Sequence, residues 1–187
     1  MERHTSASDG PADDTAFLDE ITDPAELADL PAVEHSEETF VHESEDYCEA
    51  GYAGRAIVGV VTDDGVLALV DAEEPAAVLP NGKVEPGEDY VAAGERAVEE
   101  ATGVPVRIEA PVYVRTVRHR IEDEDALDET TRHVVFRATP ATDNPKPAAS
   151  AAADLDADVT ATWLSELPED LANAGMQSAN DVARFLD

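Results

Sequence analysis

Short blocks of apolar residues, separated by turn-forming residues, organise the chain from residue 54 onward. Residues 55–61 and 66–71 are β-branched, apolar runs, and Asp63-Asp64-Gly65 separates them. Two such runs joined by turn residues predict a β-hairpin.

A helix is predicted next, after a breaker cluster at Leu79-Pro80-Asn81-Gly82. Asp89 is a good N-cap, and Gly103 suits the left-handed position that ends a helix, so residues 90–102 predict an α-helix. The remaining expected elements are strands at residues 104–108, 111–120, 133–138 and 159–164, and a terminal helix at residues 178–186. This order predicts a mixed α/β domain of the α+β kind rather than a doubly wound sheet.

The apolar pattern also divides the chain. Residues 1–46 combine many acidic side chains with little periodicity, which predicts an acidic, weakly structured N-terminal extension, although a regulatory or partner-binding arm is an alternative. We expect the folded domain to span residues 47–187. Within it, residues 139–153 are rich in Pro, Ala and Asp, which predicts an exposed loop.

Charge narrows the range of partners. The chain has 187 residues, with 12 Lys and Arg against 43 Asp and Glu, giving a net charge of −31. Nucleic acids and anionic membranes would be repelled, so we expect neither as a partner. No apolar run approaches the roughly 20 residues of a membrane-spanning helix, and the first residues do not form a signal peptide, so we expect a cytoplasmic protein. An acid-rich, lysine-poor surface is also typical of a halophile, since concentrated salt screens the repulsion.

The stretch at residues 82–104 carries the candidate chemistry. A glycine-containing loop feeds a helix that presents carboxylates. Backbone carbonyls and carboxylates are the hard oxygen ligands that Mg²⁺ prefers, and such an ion could clamp a diphosphate.

This stretch resembles the signature of the Nudix hydrolases, which fixes glycines, glutamates and an arginine at set spacings. The residues in register, without a gap, are Gly82, Glu88, Arg96, Val98, Glu100, Gly103 and Val104. The resemblance implies the Nudix fold, a mixed β-sheet sandwiched by helices. It also implies Mg²⁺- or Mn²⁺-dependent hydrolysis of the diphosphate bond in a nucleoside diphosphate derivative. Because dimers are common in the family, a homodimer is possible here.

Two departures from the family pattern weaken the expected metal site. Ala97 and Ala101 stand where the family has glutamates that bind metal and help to activate water. Helix geometry points Glu95 and Glu99 away from that face, so neither can substitute. Of the three glutamates that the family places there, Glu100 alone remains.

The resemblance assigns the remaining roles. Glu100 would be the principal metal ligand, assisted by the Gly82 carbonyl and by Glu85 or Glu88, and Arg96 would orient Glu88. Glu100, Glu88 and Arg96 are therefore the candidate catalytic residues, and no general base is assigned. The acidic run at residues 122–129 could add a ligand, or could be a solvated loop.

Arginines supply candidate substrate contacts. Arg115, Arg118 and Arg120 lie close together in the sequence, and guanidinium groups suit bidentate phosphate recognition. Alternation along a strand puts Arg118 and Arg120 on one face and Arg115 on the other. The alternative is that these arginines pair with the neighbouring acidic loop at residues 122–129 across a hairpin.

Two function hypotheses follow. The first is a Nudix-type hydrolase with slow or specialised catalysis. The second is a catalytically weakened Nudix-fold module that binds a nucleotide or a protein without hydrolysis, and the two alanines are its strongest support. A chance motif match in an acidic globular protein is a third, weaker alternative.

Overall fold

A computed structural model describes residues 18–71, 73, 76–122, 127–148, 158–172 and 177–186. Its eight described strands form one mixed sheet in the order β1-β6-β7-β2-β3-β4, with β5 paired to β2 and β8 paired to β3. The strands are β1 (Glu34–His42), β2 (Gly54–Thr62), β3 (Gly65–Asp71), β4 (Ala76–Val78), β5 (Asn81–Val84), β6 (Val106–Ile121), β7 (Leu127–Pro140) and β8 (Val159–Leu164). The helices are a 3₁₀ helix (Pro24–Asp29), α1 (Tyr90–Thr102), α2 (Glu169–Ala172) and α3 (Gln177–Ala183).

Helices cover both faces of the sheet, which confirms the expected α+β class with a mixed sheet between helices. Side chains of successive strand residues point to opposite faces. On β2, Val58 belongs to the core cluster that includes Val98 of α1, whereas its neighbour Ile57 belongs to the cluster that includes Val182 of α3. The sheet therefore separates two apolar cores, one beneath each helix.

Local signals in the sequence placed the hairpin and the main helix correctly. Strands β2 and β3 meet at the Thr62↔Gly65 pair, as the turn residues predicted. Helix α1 begins after Asp89, whose carboxylate accepts hydrogen bonds from the Val91 and Ala92 amides, and it ends at Gly103 with φ of 71°. Both caps satisfy groups that the helix itself leaves unbonded.

The two strands predicted at residues 104–108 and 111–120 are one strand, β6, so this prediction is wrong. Irregularities in the pairing with β7, between Ile108 and Ala110 and between Pro111 and Tyr113, let the strand continue through Pro111. A bulge tolerates proline because an amide at that position need not join the ladder.

The predicted weakly structured extension is wrong for part of its length. Residues 34–42 form β1, which pairs in parallel with β6 from Glu34↔Tyr113 to His42↔Ile121. This edge strand exposes most of its side chains, so it lacks the apolar alternation that would reveal it. Residues 1–17 of the predicted extension lie outside the described residues.

The loop predicted at residues 139–153 is only partly described. Residues 139–140 complete β7, residues 141–148 have no regular structure, and residues 149–157 lie outside the described part. No helix in the described ranges is long and apolar enough to cross a membrane.

Candidate functional site

The signature stretch folds as the loop and helix that its motif requires. Strand β5 carries Gly82, residues 85–89 turn the chain, and α1 follows directly. Asp89 also accepts a hydrogen bond from the Ile21 amide at 2.8 Å, so the residues before β1 help to hold this turn. The loop and the helix are thus fixed relative to each other.

Arg96 of α1 contacts Glu88 of the turn, as expected if Arg96 orients Glu88. Arg96 Nη2 lies 2.7 Å from Glu88 Oε1, and the Glu85 amide donates to Glu88 Oε2 at 2.9 Å. The hydrogen bond from the Glu85 amide, followed by the Arg96 guanidinium, lowers the pKa of Glu88. Glu88 is therefore held ionised, and each of its oxygens already has a donor.

Position 97 faces Gly82 at close range. A methyl group placed on Gly82 would lie 2.9 Å from the Ala97 Cβ, and Ala97 is buried. Glu100, one turn further along α1, is exposed, as is Glu85. Ala97 thus packs closely against Gly82 of β5.

The three candidate substrate arginines do not share one site. Arg115 is buried and lines a cavity next to α3. Arg118 is exposed, lies 3.0 Å from Glu37 Oε2, and lines a different cavity. Arg120 lines neither cavity and has other contacts. Strand alternation separates Arg115 from Arg118. The printed partners of these two arginines are Glu38, Asp181 and Glu37, so the described pairs are not with the acidic loop at residues 122–129.

The cavity next to α3, called here the α3 cavity, has a volume of about 290 Å³. Apolar side chains form much of its wall, and Asn81, which precedes Gly82, also lines it. The other lining residues are Phe40, Arg55, Ile57, Val78, Leu79, Arg115, His133, Gln177, Ser178 and Asp181.

Both arginines of the α3 cavity are neutralised by carboxylates. Arg115 Nη2 donates to Asp181 of α3 at 3.0 and 3.3 Å, and Arg115 Nε lies 3.6 Å from Glu38. Burial raises the pKa of Asp181, and Arg115 acts against that rise. Arg55 Nε donates to Glu49 at 2.9 Å. Among its described lining residues, the cavity therefore presents polar groups without an unpaired arginine.

Glu49 joins several groups at one end of this cavity. Its Oε1 lies 3.0 Å from His133 Nε2 as well as near Arg55, although the His133 contact is poorly aligned as a hydrogen bond. His133, opposed by burial and assisted by Arg55, lowers the pKa of Glu49 to about 2. Glu49 is thus a half-buried carboxylate that stays ionised at neutral pH.

Beside Glu49, three rings stack between the loop and the sheet. Tyr47 stacks on His42 and His119 with ring centroids 4.1 and 4.6 Å apart. His119 is fully buried, and desolvation lowers its pKa. Sequence reasoning missed this cluster and Glu49. His42 reaches His119 only through the pairing of β1 with β6, which the side-chain pattern does not reveal.

A comparison with protein-family models decides the family. The model described as the NUDIX domain matches residues 53–179, more than half of the chain. The chain belongs to the Nudix family. The match covers β2 through the start of α3, so it contains the signature turn, α1 and most of the α3 cavity.

Solved Nudix structures resemble this chain at low identity. A NUDIX hydrolase from Nitrosomonas europaea is 20% identical, with 71% of this chain and 84% of that chain covered and a TM-score of 0.48. An ADP-ribose pyrophosphatase from Streptococcus suis is 14% identical, covering 69% and 85%, with a TM-score of 0.43. A NUDIX-family hydrolase from Clostridium perfringens is 16% identical, covering 71% and 93%, with a TM-score of 0.47. No curated protein matches the chain significantly.

Nudix enzymes use a divalent metal ion, which needs several charged oxygen ligands close together. Of the predicted ligands, Glu85 and Glu100 are exposed, and Glu88 is occupied by Arg96 and a backbone amide. Within the described ranges, no three His, Cys, Asp or Glu side chains are grouped so as to hold a metal ion. Mg²⁺ affinity depends on the number and charge of its oxygen ligands. The residues described therefore do not fit a tightly held Mg²⁺ ion.

No described residue of the acidic run at residues 122–129 belongs to a group of side chains that could hold a metal ion. Residues 123–126 lie outside the described part. Glu129 Oε2 accepts hydrogen bonds from the Tyr47 hydroxyl at 2.9 Å and the Gly51 amide at 3.2 Å. Glu129 thus holds the loop before β2.

Proposed function

We propose that this Nudix-family chain is a nucleotide-binding module with weakened hydrolysis, whose ligand is a nucleoside diphosphate derivative. The observation that carries the proposal is the contact between Ala97 and Gly82, which puts a methyl group where the family has a charged metal ligand. Binding without a tightly held metal then depends on the protein's own polar groups.

The α3 cavity is the proposed binding site for the nucleoside part of the ligand. At about 290 Å³ it is at the small limit of ligand pockets, which span roughly 300–1,000 Å³, so it suits a base or a nucleoside rather than the whole ligand. Its arginines are already paired, which favours a neutral, hydrogen-bonding ring over a phosphate. Asn81 of β5 lines this cavity, whereas the next residue, Gly82, faces α1 on the other side of the sheet. The diphosphate would therefore pass around β5 towards the signature turn.

Hydrolysis with Mg²⁺ or Mn²⁺ is the second candidate function. One observation favours it: Gly82, Glu88, Arg96 and Glu100 keep the family spacing on an intact loop and helix, with the Arg96–Glu88 pair formed. On this alternative, Glu100 is the essential carboxylate. A small-molecule ligand, rather than nucleic acid or membrane, is common to both proposals, as are a cytoplasmic location and a possible homodimer.

Calorimetric binding and phosphate release separate the two candidates. We expect nucleoside diphosphate sugars to bind equally well in EDTA and in Mg²⁺, with no release of phosphate or nucleoside monophosphate. The double change Ala97→Glu with Ala101→Glu restores two carboxylates to one face of α1, and we expect it to gain Mg²⁺-dependent release.

Glu99→Gln is the matched control for Glu100→Gln, because both glutamates are exposed neighbours on α1. The binding-module proposal fails if the wild-type chain hydrolyses these compounds and Glu100→Gln abolishes the activity while Glu99→Gln does not. It also fails if no nucleoside diphosphate derivative binds.

A further inference from the structure

A second cavity lies on the opposite face of the sheet from the α3 cavity. Its volume is about 620 Å³, and Pro24 and Ala25 of the 3₁₀ helix are among its lining residues. Thr116 and Arg132 line it, whereas their strand neighbours Arg115 and His133 line the α3 cavity. This space, here called the β6–β7 basin, is further lined by His35, Ser36, Glu37, Val114, Arg118 and Thr130.

Positive charge is concentrated in the basin. The cross-strand pairs Arg118↔Thr130 and Thr116↔Arg132 put the two arginines on a diagonal, about 7–8 Å apart at the backbone. Long side chains at that spacing can converge on one group between them. In a chain of net charge −31, two adjacent arginines on one sheet face are an unusual local excess.

The acidic neighbours do not cancel this excess. Glu37 pairs with Arg118 at 3.0 Å, but both side chains are largely exposed, so solvent screens the pair. Arg132 is half-buried, and no carboxylate in the described part of the chain lies within ion-pair distance of it. One cation facing the basin is therefore available to a ligand.

We propose that the β6–β7 basin binds the phosphate group of a small phosphorylated metabolite. The Arg132 guanidinium supplies paired donors that match phosphate oxygens, and Arg118 adds a second guanidinium that it shares with Glu37. The Thr116 and Thr130 hydroxyls add donors from the same face. The volume exceeds what a phosphate ion alone requires, so the basin has room for the group that carries the phosphate. This site is separate from the proposed nucleotide site and does not depend on it.

Titration calorimetry with ribose 5-phosphate tests the proposal, with inorganic phosphate and unphosphorylated ribose run alongside. We expect saturable binding of ribose 5-phosphate, weaker binding of phosphate, and none of ribose. Arg132→Gln should weaken binding of ribose 5-phosphate at least tenfold. Glu37→Gln should strengthen it about threefold, because it releases Arg118 to the ligand.

Arg137→Gln is the matched control, since Arg137 is an exposed arginine on β7 that pairs with Glu109 outside the basin. We expect it to change the affinity less than twofold, and Thr130→Val to reduce it several-fold even if Arg132→Gln does not fold. The proposal is overturned if ribose 5-phosphate does not bind saturably. It is also overturned if Arg137→Gln weakens binding as much as Arg132→Gln does. If Asn81→Ala weakens binding and Arg132→Gln does not, the ligand binds in the α3 cavity and the proposal is again overturned.

Discussion

At the scale of single residues, the buried pair of Arg115 and Asp181 links β6 to α3. Both side chains are about nineteen-twentieths buried, with 5% and 6% of their surfaces exposed. A buried ion pair adds little net stability, because desolvation offsets the attraction, but the loss of one partner leaves an uncompensated charge.

Removing one member of this pair should therefore be costly. We expect Arg115→Met to lower the free energy of unfolding by about 3–5 kcal/mol, measured by urea denaturation at constant salt. The double variant Arg115→Met with Asp181→Leu should cost less than either single change, because the one charge left without Arg115, that of Glu38, is partly exposed to solvent. Equal or additive losses in the double variant would contradict this account of the pair.

The sequence could predict which face of the strand each arginine occupies, but not which carboxylate it pairs with. Strand alternation correctly separated Arg115 from Arg118. Asp181 is 66 residues from Arg115 in the sequence, and only the packing of α3 on the sheet brings them together. The same holds for Ala97 and Gly82: the motif gave both positions, but their close contact needed the folded helix.

At the scale of elements, the loop between β1 and β2 is fixed by Glu49. This loop has no regular structure, yet Glu49 contacts Arg55 of β2 and His133 of β7. Its pKa is lowered to about 2 from an ordinary value of 4.5, so ionised Glu49 favours the folded state. That contribution is complete above about pH 4.5 and is lost as the pH falls through 2.

The change Glu49→Gln should therefore destabilise the chain in a pH-dependent way. We expect the variant to have a free energy of unfolding roughly 2–3 kcal/mol below the wild type at pH 6, and the gap to narrow steadily between pH 4.5 and pH 2. Urea denaturation across this range measures it. Glu45→Gln, at an exposed site in the same loop, should have a free energy of unfolding close to that of the wild type at every pH. A constant gap for Glu49→Gln would show that its ionisation does not stabilise this loop.

Elements with strong local signals could be predicted, and those defined by pairing could not. Helix α1 has an N-cap and a terminal glycine in the sequence, and both of its bounds were predicted correctly. Strand β1 depends on backbone hydrogen bonds to β6, which leave no trace in the side-chain pattern of an exposed edge. The short strand β5 was missed because its residues, Asn81–Val84, have the composition of a turn.

At the scale of the whole molecule, the excess of acidic residues is the feature that most affects stability. A net charge of −31 on 187 residues opposes compaction through like-charge repulsion. The ion pairs described above neutralise arginines one by one, but the acidic residues outnumber them several-fold. The family assignment explains the fold without explaining this excess, and tolerance of concentrated salt is the physical property that would.

The salt dependence of stability tests that interpretation. Screening contracts from about 10 Å at 0.1 M to about 3 Å at 1 M ionic strength, so repulsion between surface carboxylates should fade over this range. We expect the urea midpoint of unfolding to rise markedly between 0.1 M and 2 M KCl. A variant with four exposed carboxylates neutralised, Glu26→Gln, Glu43→Gln, Glu99→Gln and Glu122→Gln, should show a smaller rise, because it has less repulsion to screen. An equal rise in both chains would indicate a general salting-out effect, and a flat or falling midpoint in the wild type would contradict adaptation to high salt.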